Sequence, residues 1–212
     1  EPETIGMLRK LRNLPIVWLS DDQSEFFHTI YVDCRATGRL AGEYLFSKGH
    51  RRIAVIHEPD YTGTGRADGV GDVLRENGFD PEEYLLKFAN TLPLHLSVKQ
   101  MIGAGCTAVW VTGEDMKALE VNWLIQELAG KRVPEDISLM AFENPGVSEF
   151  QRPSFTTIAS PLRETAEKAV ELVLADELDS LQKIELTNTL IERNSVMALK
   201  PESRKGIHHV AL

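Results

Sequence analysis

Residues 133–144, Val-Pro-Glu-Asp-Ile-Ser-Leu-Met-Ala-Phe-Glu-Asn, contain the strand pattern on which the fold prediction rests. A turn with a proline and two acids leads into a short apolar run, Ile137 to Phe142, which stops at Glu143 and Asn144. A near-continuous apolar run is typical of a strand that is buried on both faces of a parallel sheet. Ligands of such sheets bind outside the carboxyl ends of the strands, which makes Glu143 and Asn144 candidate ligand-binding residues. On position alone, the alternative of two solvated loop residues is equally good.

The same kind of run recurs on both sides of this stretch. Apolar runs that predict strands lie at 15–19, 29–32, 53–56, 83–88, 108–112, 137–142, 156–159 and 186–196. Patterns of helical spacing lie between them, at 34–48, 66–77, 94–103, 116–129 and 163–179. Strands that alternate with helices of this length predict an α/β fold with a doubly wound parallel sheet. The tail, 200–212, has no clear period, and we expect it to be loosely attached.

Composition narrows the class of protein. The chain has 212 residues, 42% of them hydrophobic and 26% charged, which is typical of a soluble globular protein. Its net charge of −9 argues against a surface built for nucleic acid, which needs a concentrated basic face. No apolar run is long enough to cross a bilayer, so no membrane partner is expected. Two cysteines, Cys34 and Cys106, form no disulfide framework and indicate a reducing compartment.

Arg66 is the most informative single cation. It follows the segment Gly63-Thr64-Gly65 and lies in the first turn of the predicted helix 66–77, where its charge opposes the helix dipole. A cation in that place indicates binding of hydroxyls or a carboxylate, although a plain surface arginine is an even alternative. The glycine spacing is G-x-G-x-x-x-G and therefore does not match the dinucleotide-binding fingerprint.

Evidence for catalysis or metal binding is weak. The six histidines lack the paired spacings of a zinc site, and no G-x-S-x-G nucleophile motif occurs. Pairs of acids such as Asp21-Asp22 are more often helix or turn residues than acid–base pairs. We therefore predict no metal, no cofactor and no enzymatic activity.

A series of short motifs resembles the effector-binding core of LacI/GalR-type transcriptional repressors. The motifs run in the family's order over residues 15–196, and each is weak alone whereas together they are highly specific. They are Asp33-x4-Gly38-x2-Ala41, Gly49-His50-Arg51-Arg52-Ile53, Arg66-x2-Gly69, Thr107-Ala108-Val109, Glu114-Asp115-x2-Ala118, Val133-Pro134-Glu135-Asp136-Ile137-Ser138, Phe142-Glu143-Asn144, Pro153-x2-Thr156-Thr157 and Leu190-Ile191-x-Arg193-x-Ser195.

The resemblance implies a periplasmic-binding-protein-like fold, in which two α/β lobes with doubly wound parallel sheets are joined by three crossovers. Residues 1–32 plus 159–180 would form a partial N-terminal lobe, incomplete in this chain. Residues 33–157 plus 183–199 would form the C-terminal lobe. A small polar effector, such as a sugar, would bind in the cleft between the lobes.

The resemblance also implies which residues bind the effector. Arg66 matches the family's effector-binding arginine, Asp115 matches the aspartate after the strand that ends near Thr112, and Glu143 takes the place of an aspartate. Three further residues lie at matching positions with less specific roles: Thr62, Asn144 and Ser160. Asp21 is the last candidate, and because the register there is uncertain by one residue, Ser20 could take its place.

Two substitutions depart from the family pattern and bear on the ligand. Glu143 is one methylene longer than the usual aspartate, so its carboxylate is expected to reach about 1.5 Å further into the cleft. Glu114 replaces a common asparagine before Asp115. Three acids near one cleft mouth favour an amine-bearing or otherwise cationic ligand more than in a typical member, while a neutral sugar stays compatible.

The predicted function is the effector-binding and dimerisation domain of a bacterial LacI-type repressor, which would act in the cytoplasm as a homodimer. Glu1 begins the chain without a signal-peptide pattern, and we expect the chain to be a piece of a longer polypeptide. Operator DNA would bind only through a headpiece that this chain lacks. The alternative is an extracytoplasmic sugar-binding protein of a transporter, which has the same fold.

Overall fold

The computed structural model describes residues 2–8, 10, 14–19, 25–89, 91–113, 115–143, 146–175 and 180–199. Within them, the helices are α1 Pro2–Leu8, α2 Cys34–Ser47, α3 Tyr61–Glu76, α4 Pro81–Tyr84, α5 Leu94–Gly103, α6 Asp115–Ala129 and α7 Leu162–Leu174. The strands are β1 Val17–Leu19, β2 His28–Val32, β3 Ile53–His57, β4 Leu85–Ala89, β5 Ala108–Val111, β6 Ser138–Phe142, β7 Thr156–Ala159, β8 Lys183–Leu186 and β9 Thr189–Ile191.

These strands form two sheets. The larger sheet has the order β4-β3-β5-β6-β7-β9, and all its pairs are parallel except β7 with β9. The smaller sheet has the order β1-β2-β8 and is parallel throughout. The predicted α/β fold with parallel sheets is confirmed.

One predicted boundary is wrong. Residues 183–199 were expected to belong with the larger sheet, but β8 pairs with β2 in the smaller sheet, with Ile30 opposite Ile184. Only β9 and the residues after it return to the larger sheet. The error has a physical reason: β8 alternates Lys183, Ile184, Glu185 and Leu186, a pattern that fits an edge strand in either sheet.

Three connections join the two sheets. The chain passes from β2 to α2 at Asp33, from β7 to α7 at Ser160 and Pro161, and from β8 to β9 at Thr187 and Asn188. A buried hydrogen bond ties two of these connections together, because Asn188 Nδ2 donates to Thr37 Oγ1 at 3.0 Å near the start of α2. The three crossovers that the resemblance implied are therefore present.

The core of the larger sheet lies on both of its faces, as expected for a doubly wound fold. Alternate residues of β3 point in opposite directions: Ala54 and Ile56 pack in one apolar cluster, and Ile53 and Val55 pack in the other. The first cluster includes buried residues of α5 and α6, and the second includes buried residues of α2 and α3. This packing explains why β3 is buried at every position.

Helix α3 begins five residues earlier than the sequence pattern predicted. The Asp60 side chain caps it, since its carboxylate accepts a hydrogen bond from the backbone N–H of Gly63 at 2.7 Å. That bond is the main reason why the pKa of Asp60 is below its usual value. Gly63 and Gly65 are thus helical, and Arg66 lies in the second turn of α3 rather than the first.

His50, from the motif Gly49-His50-Arg51-Arg52, is a core residue and is 1% exposed. Its Nδ1 lies 2.9 Å from Thr107 Oγ1, and its Nε2 lies 3.1 Å from the carbonyl oxygen of Met197. Burial lowers the pKa of His50 to about 4, so the ring is neutral at pH 7. The imidazole therefore links the end of α2 to the segment after β9.

Candidate functional site

The larger sheet has a topological switch point between β3 and β5. The connection after β3 runs through α3 to β4 on one side, and the connection after β5 runs through α6 to β6 on the other side. Because the two connections leave in opposite directions, a crevice opens at the carboxyl ends of these strands. Ligands of open α/β sheets bind in this kind of crevice.

Arg66 extends from α3 over this end of the sheet. Its Nη1 donates a hydrogen bond to the carbonyl oxygen of Thr112, immediately after β5, at 3.0 Å. Its guanidinium lies over the ring of Phe142, the last residue of β6, with Cζ 4.4 Å from the ring centroid. A cation over an aromatic face is attracted by the ring quadrupole, so these two contacts fix the guanidinium above the strand ends.

Glu143 follows β6 and has protein partners for both carboxylate oxygens. Arg193 donates from Nη2 to Oε1 at 3.1 Å and from Nη1 to Oε2 at 3.0 Å, and the Thr157 hydroxyl also donates to Oε2. The side chains of Arg193 and Glu143 are only 16% and 12% exposed. Both carboxylate oxygens of Glu143 are therefore held by protein groups, whereas the sequence led us to expect a carboxylate that extends further into the cleft.

Arg193 is a residue whose role the sequence analysis missed. It also donates to the carbonyl oxygen of Phe155 at 2.7 Å and to Thr157 Oγ1 at 3.0 Å. The signal was present in the closing motif Leu190-Ile191-x-Arg193-x-Ser195, which served only to recognise the resemblance. Ser195 of that motif accepts a hydrogen bond from the backbone N–H of Thr156 at 2.9 Å. The motif thus ties β9 to the ends of β6 and β7.

A second ion pair spans the switch point itself. Glu58 follows β3 directly, Lys117 lies in the first turn of α6, and Lys117 Nζ donates to Glu58 Oε1. Neither residue could be recognised from the sequence, since a pair separated by 59 positions leaves no local pattern. Two acids at the carboxyl ends of the strands, Glu58 and Glu143, are therefore each paired with a basic side chain of the protein.

Ser160 lies between two cavities beside the crossover that begins α7. One cavity, of about 740 Å³, is lined by Glu143, Ser160 and residues of α7. The other, of about 400 Å³, is lined by Ser160 together with Leu19 and Tyr31 of the smaller sheet. Glu143 and Ser160 are thus brought together at the junction of the two sheets.

Thr62 lies on α3, one helical turn before Arg66. It is partly buried, and its hydroxyl donates to Asp60 Oδ1 at 3.0 Å. The contact belongs to the capping of α3. The ligand-binding role of Thr62 stays a prediction, as do those of Arg66, Glu143 and Ser160.

The remaining candidates fall outside what the structure describes. Asp21 and Asn144 lie outside the described residues, and so do Ser20 and Glu114. Asp115 begins α6, but the description does not include its side chain. Within the described part of the chain, no group of three or more His, Cys, Asp or Glu side chains could hold a metal ion. None of the described helices is long and apolar enough to span a membrane.

Comparison with known proteins identifies the domain family of the chain. Residues 29–196 match the family of the periplasmic binding protein-like domain, and the chain belongs to that family. Within it, the chain's relatives are LacI-type regulators, which confirms the resemblance to the LacI/GalR effector-binding core.

The curated relatives are named as repressors. The chain is 32% identical over 208 residues to the HTH-type transcriptional repressor PurR of Photorhabdus laumondii subsp. laumondii. The matched region covers 92% of this chain and 60% of that protein. The PurR repressor of Pectobacterium carotovorum subsp. carotovorum is likewise 32% identical, over 209 residues, with the same coverage. The chain therefore spans about 60% of the length of these relatives.

Solved structures show the same fold. A LacI family transcriptional regulator from Enterococcus faecium, with bound ribose, matches with a TM-score of 0.82 and 24% identity over 94% of this chain and 77% of that chain. A LacI family regulator from Weissella paramesenteroides, with bound sucrose, matches with a TM-score of 0.77 and 22% identity over 94% of this chain and 75% of that chain.

Proposed function

We propose that this chain is the effector-binding core of a LacI-type transcriptional repressor, and that its effector is a small polar molecule such as a sugar. The observation that carries the proposal is the position of Arg66, which is held over the carboxyl ends of β5 and β6 beside the switch point. Its contacts with Thr112 and Phe142 orient the guanidinium before any ligand arrives. Orientation of this kind reduces the entropy that binding must overcome.

The charges of the described residues fit a neutral, hydroxyl-rich ligand and give no support to a cationic one. From the sequence, three acids near the cleft make a cationic ligand more plausible than in a typical member of the family, while a neutral sugar stays compatible. Glu143 is paired with Arg193, however, and the neighbouring Glu58 is paired with Lys117. Paired acids add no net negative charge to the wall, which weakens the argument for a cation. Ribose and sucrose, bound by the two neighbours described above, belong to the class that we propose.

A thermal-shift screen tests the effector site. We expect a member of a panel of sugars, amino sugars and nucleobases to raise the melting temperature of the wild type, because a ligand that binds only the folded state stabilises it. Arg66→Ala should abolish the shift. Arg75→Ala is the matched control, since Arg75 lies at the end of the same helix with its side chain 64% exposed. A hit that Arg66→Ala leaves unchanged would refute the assigned site.

The effector would act by favouring one arrangement of the two sheets over another. The ligand would contact Arg66 beside the larger sheet and residues beside Ser160 at the crossover. It shifts the equilibrium between the two arrangements only by the difference in its affinity for them. In the intact repressor this would change the spacing of DNA-binding segments. We place those segments outside residues 1–212, in line with the net charge of −9. A cytoplasmic location and the absence of catalysis follow from this role.

Dimerisation is proposed for an exposed apolar face on α6. Met116 and Trp123 lie two turns apart on one side of the helix and are 59% and 58% exposed, with the partly buried Leu119 between them. Exposed tryptophan is enriched in protein interfaces. Trp123→Glu should convert a dimer to a monomer in sedimentation velocity, and Leu181→Glu, an apolar residue 44% exposed beside β8, is the control. A sedimentation coefficient that Trp123→Glu leaves unchanged contradicts this interface.

The two-lobe organisation is also a proposal, and α7 supports it. One stripe of this helix is exposed although all the residues that define it are apolar: Leu162, Ala166, Val170, Val173 and Leu174. The helix packs on β1 and β2 with its other side, where Leu172 is buried. An apolar stripe of this size is usually covered by other parts of a protein. We propose that in the intact protein the lobe around the smaller sheet is larger, and that additional residues of the polypeptide cover α7.

A further inference from the structure

Helices α2 and α3 touch through glycines, so that their backbones come into direct contact. A Cβ atom built on Gly38 of α2 would lie 2.0 Å from the carbonyl oxygen of Arg66. One built on Gly69 of α3 would lie 2.2 Å from the carbonyl oxygen of Arg35, and one on Gly65 would lie 2.4 Å from Cys34 Sγ. We call Gly38, Gly65 and Gly69 the glycine seam. No residue with a side chain fits these positions at the present helix spacing.

The contact at Gly38 falls on the backbone of Arg66 itself. Contacts of a Cβ atom shorter than 3.0 Å are essentially never seen, so alanine at position 38 requires a displacement of about 1 Å between the helices. The hydrogen bond from Arg66 to Thr112 is 3.0 Å long. Arg66 moves with α3, and a displacement of that size is large compared with the range of distances that such a hydrogen bond tolerates.

Ion pairs close the outer side of the same helix pair. Arg35 makes a two-bond contact with Asp72 at 2.5 and 2.8 Å, and Arg39 makes one with Glu76 at 2.7 and 2.8 Å. Arg35 lies in the first turn of α2 and Arg39 in the second, and their partners lie in the second half of α3. These ion pairs favour close approach of the helices, and the glycines determine how close that approach can be.

We propose that the glycine seam is the positioning element of Arg66. It holds α3 at the distance from α2 at which the guanidinium reaches both Thr112 and Phe142. Since α2 follows directly from β2 through Asp33, the seam also places Arg66 relative to a crossover between the two sheets. The functional meaning of the seam rests on the proposed role of Arg66 as an effector residue, whereas the geometry that it controls can be measured without any ligand.

The test is the side-chain Nε–Hε resonance of Arg66 in a two-dimensional ¹H–¹⁵N spectrum of the ligand-free protein. The ring of Phe142 shields protons that lie over its face, so Phe142→Leu gives the position of the resonance without the ring, and Arg66→Lys assigns it by its loss. Gly38→Ala should move the resonance at least halfway toward its position in Phe142→Leu. Gly42→Ala should not, because its Cβ would lie 3.1 Å from Val70 Cα and calls for a displacement of only a few tenths of an ångström.

A rescue pair tests the seam at a second position and keeps the test decisive where Gly38→Ala does not fold. Gly65→Ala should move the Arg66 resonance in the same direction, since the new Cβ meets Cys34 Sγ. The double variant Gly65→Ala with Cys34→Ala should restore it, because without Sγ the nearest atom to the new Cβ is 3.5 Å away. A purely destabilising effect of alanine in α3 would not be reversed by shortening Cys34.

The outcomes separate the seam from the effector site. A wild-type Arg66 resonance in folded Gly38→Ala, or in folded Gly65→Ala, overturns the proposal. Restoration in the double variant supports it. Should the resonance behave as expected while Arg66→Ala leaves the ligand-induced thermal shift intact, the effector assignment fails and the seam stands.

Discussion

The buried imidazole of His50 makes the stability of this protein depend on pH in a defined window. Burial lowers its pKa from 6.5 to about 4, whereas in the unfolded chain the ring titrates at its ordinary value. The unfolded state therefore binds the proton first as the pH falls. The contribution of neutral His50 to the free energy of unfolding is present in full above pH 6.5 and is lost as the pH falls from 6.5 to 4.

The size of the effect follows from the two pKa values. Their difference is 6.5 − 4, or about 2.5, and each unit corresponds to about 1.4 kcal/mol. The loss of stability from this one group is therefore about 3 kcal/mol between pH 7 and pH 4. His50→Gln keeps a donor for the carbonyl oxygen of Met197 but cannot titrate. We expect this variant to lack that part of the pH dependence.

The assay is urea unfolding followed by far-UV circular dichroism at several pH values from 4 to 7.5. The difference in unfolding free energy between wild type and His50→Gln should shrink by about 3 kcal/mol as the pH falls, and the contributions of carboxylates cancel in that difference. His95→Gln is the matched control because His95 is exposed. A difference that stays constant over this range would refute the argument that His50 is buried in its neutral form.

Other expected results concern the ion pair, the core and the thiols. Arg193→Ala should lower the unfolding free energy by about 3 kcal/mol, because it leaves Glu143 nearly buried without its cation, and adding Glu143→Gln should recover part of the loss in urea unfolding. Leu139→Ala, at a site 0% exposed, should cost about 2–5 kcal/mol, and Leu128→Ala, at a site 58% exposed, less than about 0.5. Burial raises the pKa of the Cys106 thiol to about 11, so it should react with a disulfide reagent at pH 8 only after unfolding.

The order of strands and helices could be predicted from the sequence, because the buried strands have patterns that local spacing reveals. The run predicted at 137–142 is β6, Ser138–Phe142, and the run predicted at 108–112 is β5. The start of α3 could not be predicted this way. Glycines at 63 and 65 indicate a loop by intrinsic propensity. Both lie inside the helix, where Gly63 packs closely against the backbone of Glu58 and Gly65 against Cys34 of α2.

The partners of the candidate site residues were beyond local reasoning as well. Glu143 and Arg193 are 50 positions apart, and nothing near either residue indicates that they meet. The resemblance named Arg66 and Glu143 together because it carries information about the fold as a whole. It gave no role to Arg193, whose contribution becomes visible only when β9 is placed antiparallel to β7.

Glu143 shows how a single added methylene changes the interpretation of a site. A longer acid at the end of β6 was expected to place more negative charge in the cleft. In the structure the longer side chain reaches the guanidinium of Arg193 with both oxygens and accepts a further bond from Thr157, so its charge is compensated inside the protein. Shortening it in Glu143→Asp should therefore stretch the pair and expose charge toward the ligand. On this argument that variant binds cationic amino sugars better than the wild type in the thermal-shift panel, and an unchanged ranking would mean that the Arg193 pair persists with the shorter acid.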